Sequence, residues 1–488
     1  MNSKYLVSIA LTLAALGFSG CAEEVFDRKP KVVITQENFF QTEEHAVLAT
    51  NAVYNMLRSW EVHVFSYIGL TDIASDDADK GSFPADAFFL QELDDFTHTP
   101  SNLAPQTVWG GYYTGIYRAN LALDNIPDIE MDANLKTRLM GECKFLRAYF
   151  YFNLVRWFGD IPLITRTLGA DEFLQERRPV AEVYAQIEQD LLDAIAGLPA
   201  KYASADLGRA TKGAAQALLA KVYLTEKDYV NTEKYALDVI NSGLYALYPD
   251  YGKLFQPIGE NSSESIFEVQ AAAFEAGGGG SQYNEVQGVR GMPNLGWGFN
   301  RPSDNLVAAY EPGDPRRDAT ILYVGEILPD GSDVVHDNPD IIGERYNQKA
   351  WVPQHPGGNG NGNGNIRLIR YADVLLMAAE ALNENDKPAQ ALVYLNMVRA
   401  RARKNNPNIL PDVTVTNKDQ LRTRIWNERR VELALEQQRW FDLCRQGRVA
   451  QVMQAVGKNF VTNKNELWPI PQKDIDLSQG TLTQNPGY

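Results

Sequence analysis

The chain has 488 residues, with 46 lysines and arginines against 62 aspartates and glutamates, for a net charge of −16. Such acidity repels phosphate backbones and excludes a nucleic-acid-binding role. The length allows one large domain or two intimate ones, and beyond a short apolar run at residues 6–16 nothing approaches a membrane-spanning stretch.

Residues 1–20 read as a secretory signal: Lys4 is the basic start, residues 6–16 the apolar run, and Phe18, Ser19 and Gly20 stand directly before Cys21. A cysteine that would become residue one after cleavage predicts a lipoprotein with the lipid on Cys21, although Phe18 occupies a place that usually carries leucine. Residues 21–41 are then anchor and tether. Residues 42–247 form an N-terminal helical scaffold. Val47, Leu48, Val53, Met56 and Leu57 make a helical stripe over 43–60. The period fails over about 61–104, rich in Asp, Ser, Gly and Phe, which reads as a long irregular excursion. Helices follow at 105–126, where Pro105 suits a helix start, and at 135–159, stopped by Gly159 and Pro162. Another covers about 180–197. The stretch 211–247 is a helix pair that resembles one tetratricopeptide unit, and 372–402 resembles a second, with its turn at 383–388. Pairs so far apart along the chain predict a scaffold broken by insertions. The largest, 248–366, turns to Gly, Asn, Pro and aromatics, with 265–270 and 321–326 as candidate strands. Residues 367–488 return to helix and complete the scaffold. The expected fold is mainly α: a discontinuous tetratricopeptide-like scaffold carrying a loop-rich irregular lobe with a few short strands.

Several segments, in order, carry a resemblance to a known family. They are "KFLRAYFYFNLVRWFGDIPLI" (144–164), "LVAAYEPGDPRRDATI" (306–321), "RYADVLLMAAEALNE" (370–384), "LNMVRARA" (395–402), "ERRVELALEQQRWFDLCRQG" (428–447) and "WPIPQKDIDLSQGTLTQNPGY" (468–488). Together they resemble the SusD/RagB proteins over nearly the whole mature chain. The resemblance implies a lipid-anchored protein exposed on the cell surface at the outer membrane. Such a protein binds oligosaccharides or polysaccharides, or peptides in RagB-type members, and caps a TonB-dependent barrel of the SusC/RagA type. It implies no catalysis and no cofactor.

Ligand contacts are expected from the loops, where exposed rings cover sugar C–H faces and nearby polar groups fix the hydroxyls. Two clusters offer that mixture. One holds Tyr67, Asp72, Asp76, Asp77 and Phe83, within 60–96. The other holds Tyr283, Asn284, Asn294, Trp297, Phe299 and Asn300, with Tyr346 and Trp351 nearby. Trp297, between Gly296 and Gly298, is the leading candidate, with a tryptophan in the lobe core as the alternative. Asp72, Asp76, Asp77 and Asp79 offer clustered oxygens for calcium, but their spacing fits no EF-hand loop, and a solvated acidic loop is the default. Arg147, Glu380, Glu428, Arg430, Trp440, Asp442 and Trp109 lie in helical segments and read as structural. Cys143 and Cys444 read as small buried hydrophobes whose spacing defines no disulfide framework. The five histidines offer no metal spacing. The rival from another class is a surface glycoside hydrolase, which needs a carboxylate pair across a cleft; with 62 acidic residues, the existence of such pairs decides nothing.

Overall fold

A computed structural model describes residues 39–272, 279–291, 296–339, 341, 343, 345–353 and 362–488. Cys21, the signal, nearly all of the tether and Asn294 lie outside the described residues. Nine helices make the scaffold: α1 (Glu43–Met56), α2 (Leu103–Asn125), α3 (Ala133–Phe158), α4 (Val180–Gly197), α5 (Lys212–Glu226), α6 (Tyr229–Asn241), α7 (Tyr371–Glu384), α8 (Pro388–Arg403) and α9 (Lys418–Glu432). Six of their starts are capped by side chains that accept otherwise orphaned N–H groups. Thr42 caps α1, Asn102 α2, Asp132 α3, Thr211 α5, Asp228 α6 and Asn417 α9. At the far end of α3, Gly159 takes a φ of 70°, which a glycine adopts without strain and which breaks the helix.

Each helix packs on the next in the order α1 to α8, and α9 lies on α7. The two pairs expected from the sequence are α5/α6 and α7/α8, and α2/α3 makes another. They are separated along the chain but not in space, because α6 packs directly on α7. Asn385 and Lys387, in the α7–α8 turn, both bond Glu233 of α6, at 2.8 and 2.6 Å. The array is therefore interrupted in sequence and continuous in three dimensions. α3 lies at its centre, and its second half is buried on almost every face, which is why Phe145, Phe150, Phe152, Trp157 and Phe158 follow no single stripe.

Residues 61–104 depart from expectation. They are not a surface excursion: residues 62–78 are buried throughout. The segment is built of helical turns at Trp60–His63 and Phe65–Ile68, a π-turn at Gly69–Ile73, a strand, and a helix at Phe88–Asp94. Short turns packed on all sides have no exposed face, so no period survives in the sequence.

Among the described residues, six short strands form three antiparallel pairs: β1 (Ala78–Gly81) with β3 (Phe299–Pro302), β2 (Ser265–Val269) with β6 (Ile366–Arg370), and β4 (Ile321–Tyr323) with β5 (Arg345–Asn347). β2 and β4 fall within the two expected stretches. β1 belongs to the early insertion and β3 to the lobe, so this pairing sews the two loop-rich regions together.

A buried ion network fastens the lobe to the scaffold. Glu432 on α9 accepts from Arg316 at 3.0 Å, from Arg370 at 2.6 Å and from Arg401. Glu264 pairs with Arg370 and Arg401, and Glu436 with Arg370 and Lys349. The residues read as structural take such places. Arg147 forks onto Asp190, Glu380 holds Arg445, Glu428 holds Arg316 and Arg399, and Asp442 holds Arg429. Trp440 is fully buried against Trp468. Cys143 and Cys444 are free thiols, Cys143 buried and Cys444 half-buried.

Candidate functional site

The β1–β3 seam carries a cluster of rings. Trp60 and Trp297 lie 6.0 Å apart between centroids, and both are half-buried. Phe65 packs edge-on beneath them, 5.9 Å from Trp297, and touches Phe299 at 4.7 Å and Phe89 at 5.5 Å. Beside them, Phe83 is 37% and Phe88 68% exposed. Edge-to-face packing from below fixes the orientation of the upper rings.

Local backbone chemistry explains why Trp297 sits there. A Cβ on Gly296 would stand 2.3 Å from the backbone of Gly288, so only glycine permits that approach. Gly298 has a φ of 74°, and its carbonyl accepts from Ser82 N–H at 2.7 Å. Between them, the Trp297 N–H donates to the Glu285 carbonyl and its indole Nε1–H to Glu285 Oε1, at 2.9 and 3.2 Å. The ring is held rather than free.

The loop bearing Phe83 is fastened by two cations that the sequence reading missed. Lys80 Nζ donates to the carbonyls of Phe83, Pro84 and Asp86 at 2.9–3.1 Å. Arg290 joins this loop to the tryptophan: it pairs with Asp86 at 2.8 Å and donates to Ser82 Oγ and the Trp297 carbonyl. Neither residue sits in a recognisable motif. Only their mixture with loop aromatics could have drawn attention to them.

Of the thirteen expected ligand contacts, Asn294 lies outside the described residues, and Trp297 and Phe83 reach the surface. The other ten are buried inside the protein, which corrects their expected role as direct contacts. Asp72 accepts from Asn300 Nδ2 (3.0 Å), Gln437 Nε2 (2.7 Å) and the Gln437 N–H (3.1 Å). Its burial outweighs these donors and pushes its carboxyl up to about 7. Tyr283 donates its hydroxyl to Gln437, and Asn284 its amide to the Ala350 carbonyl. Asp76 is clamped by Arg439 and Arg430. Tyr346 and Trp351 join Val289, Leu322, Leu328 and Val335 in a small lobe core, and Tyr67 and Phe299 belong to the main core. The acidic run is not a solvated loop either: Asp77 pairs with Arg430 and Asp79 with Arg301. Among the described residues no group of three or more His, Cys, Asp or Glu could hold a metal ion.

Comparison with known proteins bears on what this seam is for. A family model of the SusD family matches residues 263–488, and one described as starch-binding associating with outer membrane matches 42–224. A laminarin-binding SusD-like protein of known structure is 32% identical, with a TM-score of 0.78 over 92% of this chain and 100% of that one. The chain belongs to the SusD family. SusD-like protein P2 of Formosa agariphila is 29% identical, aligned over 99% of this chain and 100% of its own. Surface glycan-binding protein A of Bacteroides thetaiotaomicron, solved with laminarihexaose, is 26% identical with a TM-score of 0.79 over 91% and 100% of the two chains. The seam of this SusD protein places Trp297 on Phe65, with Glu285 and Arg290 bonded to Trp297 and the exposed Glu61 next to Trp60 in sequence.

Proposed function

We propose that this SusD protein captures glycan at the cell surface with the Trp60–Trp297 cluster and delivers it to a TonB-dependent outer-membrane barrel of the SusC type. The observation that carries the reading is the pair of half-buried indoles at 6.0 Å, flanked by exposed Phe83 and Phe88. Rings left open to water are costly unless something covers them, and a pyranose C–H face is the complementary surface. Laminarin, a neutral β-1,3-glucan, is the first ligand to test, because two relatives of matching length are described by it or by its hexasaccharide. A neutral polymer also suits a chain of net charge −16, which would repel acidic ones. Anchoring through Cys21 would keep the site at the membrane. Binding without turnover is the reading that the glycan-binding relatives support.

Calorimetry with laminarin, starch, xylan and mannan tests the proposal. Saturable binding of at least one, with no reducing ends released on long incubation, is the expected result. Steady release of oligosaccharides would put the hydrolase reading in its place.

A further inference from the structure

A second concavity lies against α2, on the helix that also supports the aromatic seam. It encloses about 400 Å³, within the range of small-ligand sites. Trp109 and Tyr113, whose rings are 4.9 Å apart, line one wall, with the Tyr113 hydroxyl donating to the Pro162 carbonyl. Phe173 and Leu477 form the rim and are each 67% exposed. The polar lining includes Asp474, which burial holds above the ordinary carboxylate range against the opposing charge of the neighbouring Lys473.

The adjacent glycines of α2 connect this cavity to the seam. A Cβ on Gly111 would fall 2.5 Å from Glu61, next to Trp60, so that glycine is required by close packing. Gly110 has no such reason: a Cβ there would meet nothing within 4 Å, and a glycine inside a helix is destabilising relative to alanine. Gly110 lines the cavity. Two adjacent residues of one helix therefore border both places, Gly111 the turn that carries Trp60 and Gly110 the cavity.

We propose that the Trp109–Phe173–Asp474 cavity is a second saccharide subsite, engaged by the same neutral glycan chain after it crosses Gly110 from the aromatic seam. The proposal rests on the glycan reading of the seam. Its chemistry is the same mixture, with aromatic walls for C–H faces and the half-buried Asp474 carboxylate to accept from hydroxyls. Two linked subsites raise affinity for long chains and leave short ones unaffected.

Laminarin and laminaritriose are titrated into the wild type, Gly110→Leu, a Phe173→Ala/Asp474→Asn double variant and Trp297→Ala. Each mutated cavity position is open or exposed, so folding is expected to hold, and melting curves check it. The expected result is that the cavity variants bind laminarin about tenfold or more weakly while binding the trisaccharide as the wild type does. Trp297→Ala weakens both. Wild-type laminarin affinity in the cavity variants, with loss in Trp297→Ala, overturns the second subsite and leaves the seam intact. Loss only in the cavity variants overturns the seam instead. No laminarin binding by the wild type removes both. Cavity variants that keep sugar affinity but lose a co-purifying membrane partner would make the cavity a protein-docking surface and also overturn the proposal.

Discussion

Trp297 is held by two hydrogen bonds to Glu285 and packs edge-on to Phe65, so its ring contributes both to the seam and to the surface. Trp297→Ala should weaken glycan binding by about 1–3 kcal/mol, as the loss of an anchor residue does. Because the ring is only half-buried, its thermal destabilisation should stay below the about 3–5 kcal/mol of a fully buried aromatic. Affinity and melting temperature measured on the same variant separate these effects, and unchanged affinity would move the platform away from Trp297. Asp72 gives a pH prediction. Its carboxyl titrates near 7 in the fold and near 3.8 when unfolded, so over that interval the folded state holds the extra proton. Its contribution to stability therefore falls as pH rises from about 4 to about 7, then levels off. Subtracting the melting profile of Asp72→Asn from that of the wild type isolates this slope; a difference flat with pH would mean that Asp72 stays ionised. The sequence displayed the Gly-Trp-Gly setting of Trp297 but not the burial of Asp72. Burial there depends on Gln437 and Asn300, hundreds of residues further along the chain, and no local pattern announces them.

At the level of elements, helices were legible because one face of each is apolar at a helical period, as Val53 and Met56 show on α1. The irregular segments were not, because Val62, Ile68 and Ile73 pack in short turns and Asp76 beyond them is neutralised by the distant Arg430 and Arg439. The ion network around α9 carries its own test. Glu432 is fully buried among Arg316, Arg370 and Arg401, and these guanidiniums hold its carboxyl far below the ordinary range against the opposing effect of burial. Glu432→Gln removes the one carboxylate that all three buried guanidiniums share and should destabilise the fold by about 3 kcal/mol, read by denaturant unfolding. With a depressed folded value, the wild-type carboxylate contributes fully above its ordinary 4.5, and the contribution is lost as pH falls below it. The variant's deficit should thus shrink in acid. A milder change, Arg290→Ala, should leave the fold standing but uncouple the Phe83 loop from Trp297, seen as faster amide exchange over residues 82–88 together with weaker binding.

For the whole molecule, the helical array was readable except for its spatial closure: only the structure shows α6 meeting α7 across the lobe. Delivery to a barrel predicts that the full-length protein, extracted in mild detergent, co-purifies with a large outer-membrane partner through an interface above about 1,000 Å². Recovery as a lone monomer in several gentle detergents would leave it an independent binder. Cys21→Ala should abolish lipid labelling and release the protein from membranes, since stable anchoring needs more than one chain or signal; retention in the membrane fraction would disprove the anchor.

The pairing of β2 with β6 also bears on how such a protein diversifies. Ile366 lies opposite Val269, so the chain leaves the scaffold for the lobe and returns to it at neighbouring positions on one short ladder. Everything between is a cassette with adjoining ends, the arrangement in which a foreign insert is best tolerated. Exchange is not unconditional, because Arg316 and Lys349 lie inside the cassette and reach out to Glu428, Glu432 and Glu436. A graft from a relative would keep the scaffold folded only if it brought a guanidinium and an ammonium to those two places. The exposed loops of the cassette are free to change, while the two cations and the β1–β3 pairing form the fixed plug by which any replacement must connect.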